Sequence, residues 1–452
     1  MGGGERIDGG PRSAIVVGAG IIGLSTAWFL QERGVDVTVV DRTGVAAGAS
    51  WGNAGWISPA LTLPLNSPGV LRYGLRALLD PAAPLHIPMA ADSALGVFLM
   101  QFVANCRRSS WKRAVRANVP LNEEAIEAFD VLVANGVDAP ATDAPITALF
   151  RSTEAAEHMM RELRQLENAG QTISVTALSG EALREQVPLA SPAITAALSI
   201  NGQRFVDPGR FVQALGQAVV ERGATMRTVE VRGVFNSGSG VTVYPRSGKP
   251  LTADAAVIAT GAWLSRLAGG RVRVPVQAGR GYSFTVPVDR PIPGPIYLPD
   301  VRVACTPYHS ALRVSGTMEF RDPHEPAVPA RVGAIVASAS PLLDGVRWAE
   351  RSDIWVGPRP VTPDGRPLIG EMSRGVYVAG GHGMWGLAHG PRTGRLLAEQ
   401  ITTGKQPEAL CEFDPGTEPA ARPSCLAVHT AREPPRHRRP SRQGRRVAPA
   451  CP

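Results

Sequence analysis

The stretch AIVVGAGIIGLSTAWFLQERGVDVTVVDR, Ala14 to Arg42, decides the fold. Ile15, Val16 and Val17 form a β-branched run that reads as a strand buried on both faces. Gly18, Gly20 and Gly23 follow in G-x-G-x-x-G spacing, Leu24 to Arg33 reads as a helix stopped by Gly34, and Val35, Val37, Val39 and Val40 make a second parallel strand that ends at Asp41. In such a unit the first glycine makes the tight turn, the second lets the backbone approach a pyrophosphate, and the third lets helix pack on strand. The helix N-terminus then turns its N–H groups to the phosphates. Asp41, 18 residues after Gly23, stands where a carboxylate accepts hydrogen bonds from an adenosine ribose. The unit predicts a Rossmann-like dinucleotide domain and leaves NAD and FAD both open.

At 452 residues the chain is long enough for two domains, and 44% hydrophobic with 19% charged residues is ordinary globular composition. Its 49 glycines and 40 prolines favour turns and extended loops over helical bundles. No apolar run reaches the ~18 residues of a membrane span, and MGGGERIDGGPRS has no signal-peptide core, so a cytoplasmic protein is expected. Five scattered cysteines without C-x-x-C spacing predict neither a metal site nor a disulfide framework. Of the net charge of +8, the segment Asp414 to Pro452 carries +5 through eight arginines against three acids. Rich in proline and without apolar periodicity, 414–452 reads as a disordered basic tail. Peripheral contact with the inner face of the plasma membrane is expected of it, and no specific nucleic acid.

Beyond Asp41 a loop of small residues, Thr43 to Pro59, offers backbone amides and the side chains of Ser50 and Asn53 to a ligand. Helical patterns run through Ala94–Cys106, Leu121–Ala134 and Thr153–Ala169, and another opens at Pro208 with Asp207 as N-cap. Ala255–Ala259 reads as a buried strand entering Thr260-Gly261-Ala262, again a glycine at the strand edge where ligands bind. From Val274 to Val356 short alternating strands predict an antiparallel sheet. The chain returns through Pro358–Gly370 to a strand and a second G-x-G-x-x-G at Gly381, Gly383 and Gly386. No acid-ended strand follows it, so it reads as a helix start aimed at a group that gains negative charge, not as a second dinucleotide site.

GAGIIG, GASWGNAGWISP, ATGAW, GPRPVTPDGRPLIG and AGGHGMWGLAHGPRTG, in this order, resemble the FAD-dependent D-amino-acid oxidase superfamily, and most of all its D-amino-acid dehydrogenases, over about residues 12 to 410. The resemblance implies an α/β fold: a discontinuous Rossmann-like FAD-binding domain (12–60, 152–273 and 357–410) and a second, mainly antiparallel-sheet substrate domain with a helical lid (61–151 and 274–356). It assigns Gly18, Gly20, Gly23 and Asp41 to the ADP half of non-covalent FAD, with Val17, Ile21, Ile22 and Arg42 completing that half. Many members have Glu at Asp41; the shorter side chain is expected still to reach the ribose. Ala49, Ser50, Asn53, Ala54 and Gly55 are expected beside the flavin, with Val231, Thr260 and Gly261. Gly381, His382, Gly383, Met384, Trp385, Gly386 and Leu387 are expected near its pyrimidine edge.

Arg359 falls where superfamily members anchor the substrate carboxylate, and a planar guanidinium is the natural bidentate partner of that group. Tyr282 is the second catalytic candidate, and Glu319 is read as structural. Met384 and Trp385 favour an apolar side-chain pocket. The activity implied is oxidation of the CH–NH2 group of D-amino acids by hydride transfer to flavin N5, giving imino and then 2-oxo acids, with a quinone, a dye-like carrier or oxygen as electron acceptor. A glycine- or sarcosine-type oxidase is the alternative on the same scaffold. A non-catalytic FAD protein, or a polyanion binder acting through its tail, is the alternative of another class.

Overall fold

The computed structural model describes residues 9–70, 85–87 and 92–416. The opening unit forms as its glycines require. Strand β1 (Ser13–Val17) turns at Gly18, helix α1 (Ile21–Glu32) follows, and β2 (Asp36–Asp41) lies parallel to β1. They sit inside a six-stranded sheet in the order Thr225–Thr228, β2, β1, Ala255–Ile258, Val376–Gly380, Leu368–Ser373, parallel but for the last. A three-stranded antiparallel sheet, Val231–Asn236, Val241–Pro245 and Leu251–Ala253, packs below it.

Helix α1 is buried along most of its length because the closing helix, Gly386–Thr403, covers it. The two backbones touch through glycine. A Cβ on Gly394 would stand 2.6 Å from Ser25 C and 2.7 Å from Thr26 N, and one on Gly390 2.7 Å from Ile21 Cγ1. The helix Pro208–Glu221 packs beside them, its N-terminus capped by Asp207, which accepts the N–H groups of Gly209 (3.0 Å) and Arg210 (3.1 Å).

The second sheet has nine strands. Ser352–Val361 is the edge, followed by Gln277–Pro287, Ala311–Phe320, Val303–Tyr308, Ile296–Leu298, Ile146–Phe150, Ala196–Ile200 and Val175–Leu178, with Leu85–His86 beside Ala311–Phe320. Its pairs are antiparallel except Ile296–Leu298 with Ile146–Phe150 and Leu85–His86 with Ala311–Phe320. One face buries Tyr282, Phe284, Val286 and Val314 against Val332 and Ile335 of the helix Pro329–Ala339. The other face looks towards the six-stranded sheet.

Three expectations change. Val175–Leu178 and Ala196–Ile200, assigned with 152–273 to the cofactor domain, pair antiparallel with each other and, through Ala196–Ile200, with Ile146–Phe150, so they extend the second sheet. A helix not expected, Arg108–Glu123, precedes Ala125–Ala134; its basic residues disguise an inward stripe of Trp111, Val115 and Val119. Cys411 is disulfide-bonded, while Cys106 and Cys305 are free and buried. Among the described residues no helix is long and apolar enough to cross a membrane. The tail beyond residue 416, and 71–84 and 88–91 of the expected lid, lie outside the described residues.

The glycine contact between the helices is testable. Gly394→Ala places a methyl against the α1 backbone, and overpacking of this kind costs about 1–3 kcal/mol. Denaturant unfolding followed by tryptophan fluorescence is expected to show a lower midpoint with an unchanged slope.

Candidate active site

At the carboxyl edge of the parallel sheet lies a cavity of about 350 Å³. The first turn gives it Val17, Gly18, Gly20, Ile21 and Ile22, and the end of β2 gives Asp41 and Arg42. The Asp41 carboxylate closes two loops at once. Its Oδ2 accepts the Ala19 N–H (2.9 Å), and its Oδ1 accepts the N–H groups of Thr43 (2.8 Å) and Gly44 (3.0 Å) and the Thr43 hydroxyl (3.2 Å). Ala49, Ser50 and Asn53 form the next wall. Ser50 Oγ accepts the first helical N–H, that of Ile21, at 3.1 Å, and Asn53 Oδ1 accepts the Gly55 N–H at 2.9 Å. Val231 lines the cavity from the three-stranded sheet, Thr260 and Gly261 from the end of the central strand Ala255–Ile258, and His382, Gly383, Gly386 and Leu387 from the start of the closing helix.

Other expected contacts shape the site from behind. A Cβ on Gly23 would overlap the Gly18 carbonyl, so that glycine serves helix packing. The Ala54 carbonyl accepts the Thr306 hydroxyl at 2.7 Å. Gly55 (φ +82°) abuts Val206, and Gly381 (φ +75°) abuts Thr362, at 2.7 Å from its Cγ2 were a Cβ present. Met384 packs with the Phe98–Phe102–Phe320 cluster, and the Trp385 indole donates to the Leu63 carbonyl at 3.0 Å. Tyr282 does not reach the cavity. Its hydroxyl donates to Glu319 Oε2 (2.7 Å) and accepts from Val328 N–H (3.1 Å) and Arg280 Nη2 (3.2 Å) on the opposite face of the sheet, which replaces the substrate role expected of it. Trp263, Arg232, Arg246 and Arg266 line the outer end without having been expected there. The Arg42 guanidinium lies 4.1 Å from the Trp263 ring; the ATGAW motif holds that tryptophan, and only its partner was hidden.

Arg359 borders the same cavity. Its Nη1 donates to the Thr317 carbonyl at 2.8 Å, and its guanidinium lies over Gly281, where any Cβ would overlap it. Among the described residues no carboxylate pairs with it, and burial lowers its pKa to about 10. Two further buried polar atoms in the lining lack a partner, Thr260 Oγ1 and His382 Nδ1. His382 Nε2 is 3.0 Å from Thr393 Oγ1, and His389 Nε2 is 2.7 Å from Asn122 Oδ1. Burial lowers the pKa of both histidines to about 3, with His389 adding to the effect on His382, so both are neutral.

A family model described as FAD dependent oxidoreductase matches residues 13–400. The chain belongs to that family. A D-amino acid dehydrogenase of Vibrio vulnificus is 30% identical over 415 residues, covering 89% of this chain and 98% of the relative. Among solved structures, glycine oxidase from Bacillus cereus (TM-score 0.68, 20% identity, 90% of this chain and 99% of that one) and glycine oxidase from Geobacillus kaustophilus (0.68, 22%, 90% and 99%) share the fold. FAD is the cofactor, and the residues fit it: a glycine turn and helix N-terminus for the pyrophosphate, the Asp41 carboxylate for the ribose, and unpartnered buried polar atoms of Thr260 and His382 further in.

Two outcomes follow for this oxidoreductase. Gly20 has an ordinary φ of −85°, and a Cβ there would meet only Ser50 Oγ, at 3.3 Å, a side chain that can shift, so Gly20→Val is expected to fold but to purify without yellow colour; full flavin content in a folded variant contradicts the assignment. The histidines give a pH dependence. Their unfolded forms bind protons below about 6.5 while the native forms do so only near 3, so each makes the native state less stable as pH falls from 6.5, by up to ~1.4 kcal/mol per pH unit. His389→Gln is expected to flatten the dependence of the unfolding midpoint on pH between 6.5 and 4.

Proposed function

We propose that this oxidoreductase oxidises the CH–NH2 carbon of D-amino acids to imino acids, which water converts to 2-oxo acids and ammonia. The observation that carries the reading is Arg359: a desolvated guanidinium at the edge of the FAD cavity, held by one carbonyl and unmatched by any described carboxylate. Leaving such a cation buried is unfavourable until an anion reaches it. An α-carboxylate fits its planar fork in two-pronged fashion. The name of the Vibrio vulnificus relative supports the D-amino-acid class. FAD, when bound, supplies the two-electron acceptor.

The chain's own residues then do three things. Arg359 fixes the carboxylate and so orients the amine-bearing carbon towards the cavity. Neutral His382 keeps its part of the cavity wall uncharged. The N–H groups at Gly386 and Leu387 bring the positive end of an 18-residue helix to the cavity, which favours negative charge there. We assign the enzyme to the cytoplasm, with electrons leaving to a quinone, a dye-like carrier or oxygen; turnover measured in air and with a dye acceptor under nitrogen separates these.

Arg359 provides the test. Arg359→Lys keeps the charge and loses the fork, and Arg359→Ala loses both. Removing one partner of a buried hydrogen-bonded charge pair costs about 2–5 kcal/mol, so kcat/KM for D-amino acids is expected to fall at least tenfold in the lysine variant and further in the alanine variant, with flavin content retained. Normal oxidation by both variants contradicts the proposal.

A further inference from the structure

The sheet face that carries Arg359 holds more unpartnered polar groups than a closed core tolerates. Side chains alternate along Gln277–Pro287, so Tyr282 and Phe284 face the helix Pro329–Ala339 while Gly281, Ser283 and Thr285 face the opposite side with Arg359. In the neighbouring strand, Gly316 abuts Ile335 of that helix, so Ser315 shares the Arg359 face, and the Thr317 carbonyl accepts from Arg359. Ser283 and Ser315 are direct cross-strand partners, and Thr285 and Arg313 are the next pair on the same face.

Ser283 is 1% exposed, Ser315 5%, Thr285 8% and Arg313 4%. Ser283 Oγ, Ser315 Oγ, Thr285 Oγ1 and Arg313 Nε and Nη1 all lack a hydrogen-bond partner. Arg313 lies 4.2 Å from the Tyr308 ring, and among the described residues no carboxylate pairs with it. Each buried polar group left unpaired costs about 1–3 kcal/mol, so a contiguous row of them implies a polar occupant. The two serines stand two residues along their strands from Gly281 and Thr317, the residues that seat Arg359, and two strand residues span about 7 Å. That offset is on the scale of a short side chain extending from an α-carboxylate held by Arg359.

We propose that Ser283 and Ser315, with Arg313 beyond them, form the side-chain subsite, and that the preferred substrates are D-amino acids whose side chain ends in acceptor oxygens, an ω-carboxylate or ω-carboxamide. The subsite rests on the assignment of Arg359 to the α-carboxylate. It corrects the expectation of an apolar pocket: Met384 and Trp385, on which that expectation stood, are turned away into other packing and a hydrogen bond to Leu63. Hydroxyls and a guanidinium can donate to such oxygens, whereas an aliphatic side chain of the same shape leaves them unpaired. Sites built to hydrogen-bond a substrate group reject the analogue lacking it strongly, by up to ~10⁴–10⁵.

The test compares near-isosteric substrates on the FAD-loaded enzyme. kcat/KM for D-asparagine and D-aspartate is expected to exceed that for D-leucine at least tenfold. In Ser283→Ala/Ser315→Ala and in Arg313→Leu, compared per bound flavin, that ratio is expected to fall at least tenfold. A second readout needs no turnover: succinate is expected to perturb the flavin absorbance of the wild-type protein at lower concentration than butyrate, and the double serine variant to lose the difference. Turnover of D-amino acids with D-leucine equal or preferred overturns the subsite and leaves the role of Arg359 standing. Absence of both D-amino-acid turnover and carboxylate binding overturns the two together.

Discussion

Arg359 reaches the cavity because the edge strand Ser352–Val361 belongs to both halves of the molecule. It pairs with Gln277–Pro287 from Thr285↔Ser352 to Gln277↔Val361, which fixes its register in the second sheet. Its last residues are bound to the first half: Val361 bridges to His382, and Gly383 donates its N–H to the Pro360 carbonyl at 2.8 Å. The start of the closing helix is thereby tied to the residue beside the arginine. A shift of either sheet would move the guanidinium and the helix N-terminus together, so the substrate anchor and the cofactor cavity keep their spacing without depending on a flexible loop.

The two faces of the second sheet treat buried charge in opposite ways. On the helix side, Glu319 is ringed by Arg280, Arg321 (3.1 Å) and Arg331 (3.4 Å) and accepts the Tyr282 hydroxyl, a network in which the buried carboxylate is matched several times over. On the cavity side, Arg359 and Arg313 are buried with no described carboxylate near enough to pair. Breaking a buried pair is far more costly than never forming one, so the first arrangement fixes structure and the second stores a demand for an anion. Tyr282 belongs to the first for this reason, although it alternates with Ser283 on one strand. A single step of strand parity separates a structural residue from one facing the site.

The same parity explains what sequence alone could reveal. The glycine turn, the acid ending β2 and the second glycine-rich helix start are local patterns whose meaning lies in their own spacing, and the structure puts Gly18, Gly20, Asp41, His382, Gly383 and Gly386 around one cavity. Strand faces in 274–356 were only half readable: Tyr282-Ser283-Phe284-Thr285-Val286 alternates apolar and polar, but a strand buried on both sides does not tell which of its two faces looks to the site. Val175–Leu178 and Ala196–Ile200 belong to the second sheet only because Ala196–Ile200 pairs with Ile146–Phe150, far back along the chain, which no local pattern carries. Gly23 packs helix against turn as its spacing requires, whereas Gly55 and Gly381 were expected beside the flavin, and the atoms a side chain there would meet belong to Val206 and Thr362, which only three-dimensional packing reveals.

Asp41 shows how a shortened side chain can combine two tasks. Its carboxylate stays close to its own backbone, which is why it can accept from Thr43 and Gly44 just after it and from Ala19 across the turn. A glutamate carries its oxygens one carbon further out, towards a ribose and away from the Thr43 and Gly44 amides. In this chain the glycine turn and the loop that follows β2 are therefore locked by a residue that also lines the cavity. The loop so anchored runs on to Ser50, whose hydroxyl accepts the first N–H of α1. The ribose end and the pyrophosphate end of the site are thus built around one carboxylate, and its preorganisation exists before any ligand arrives.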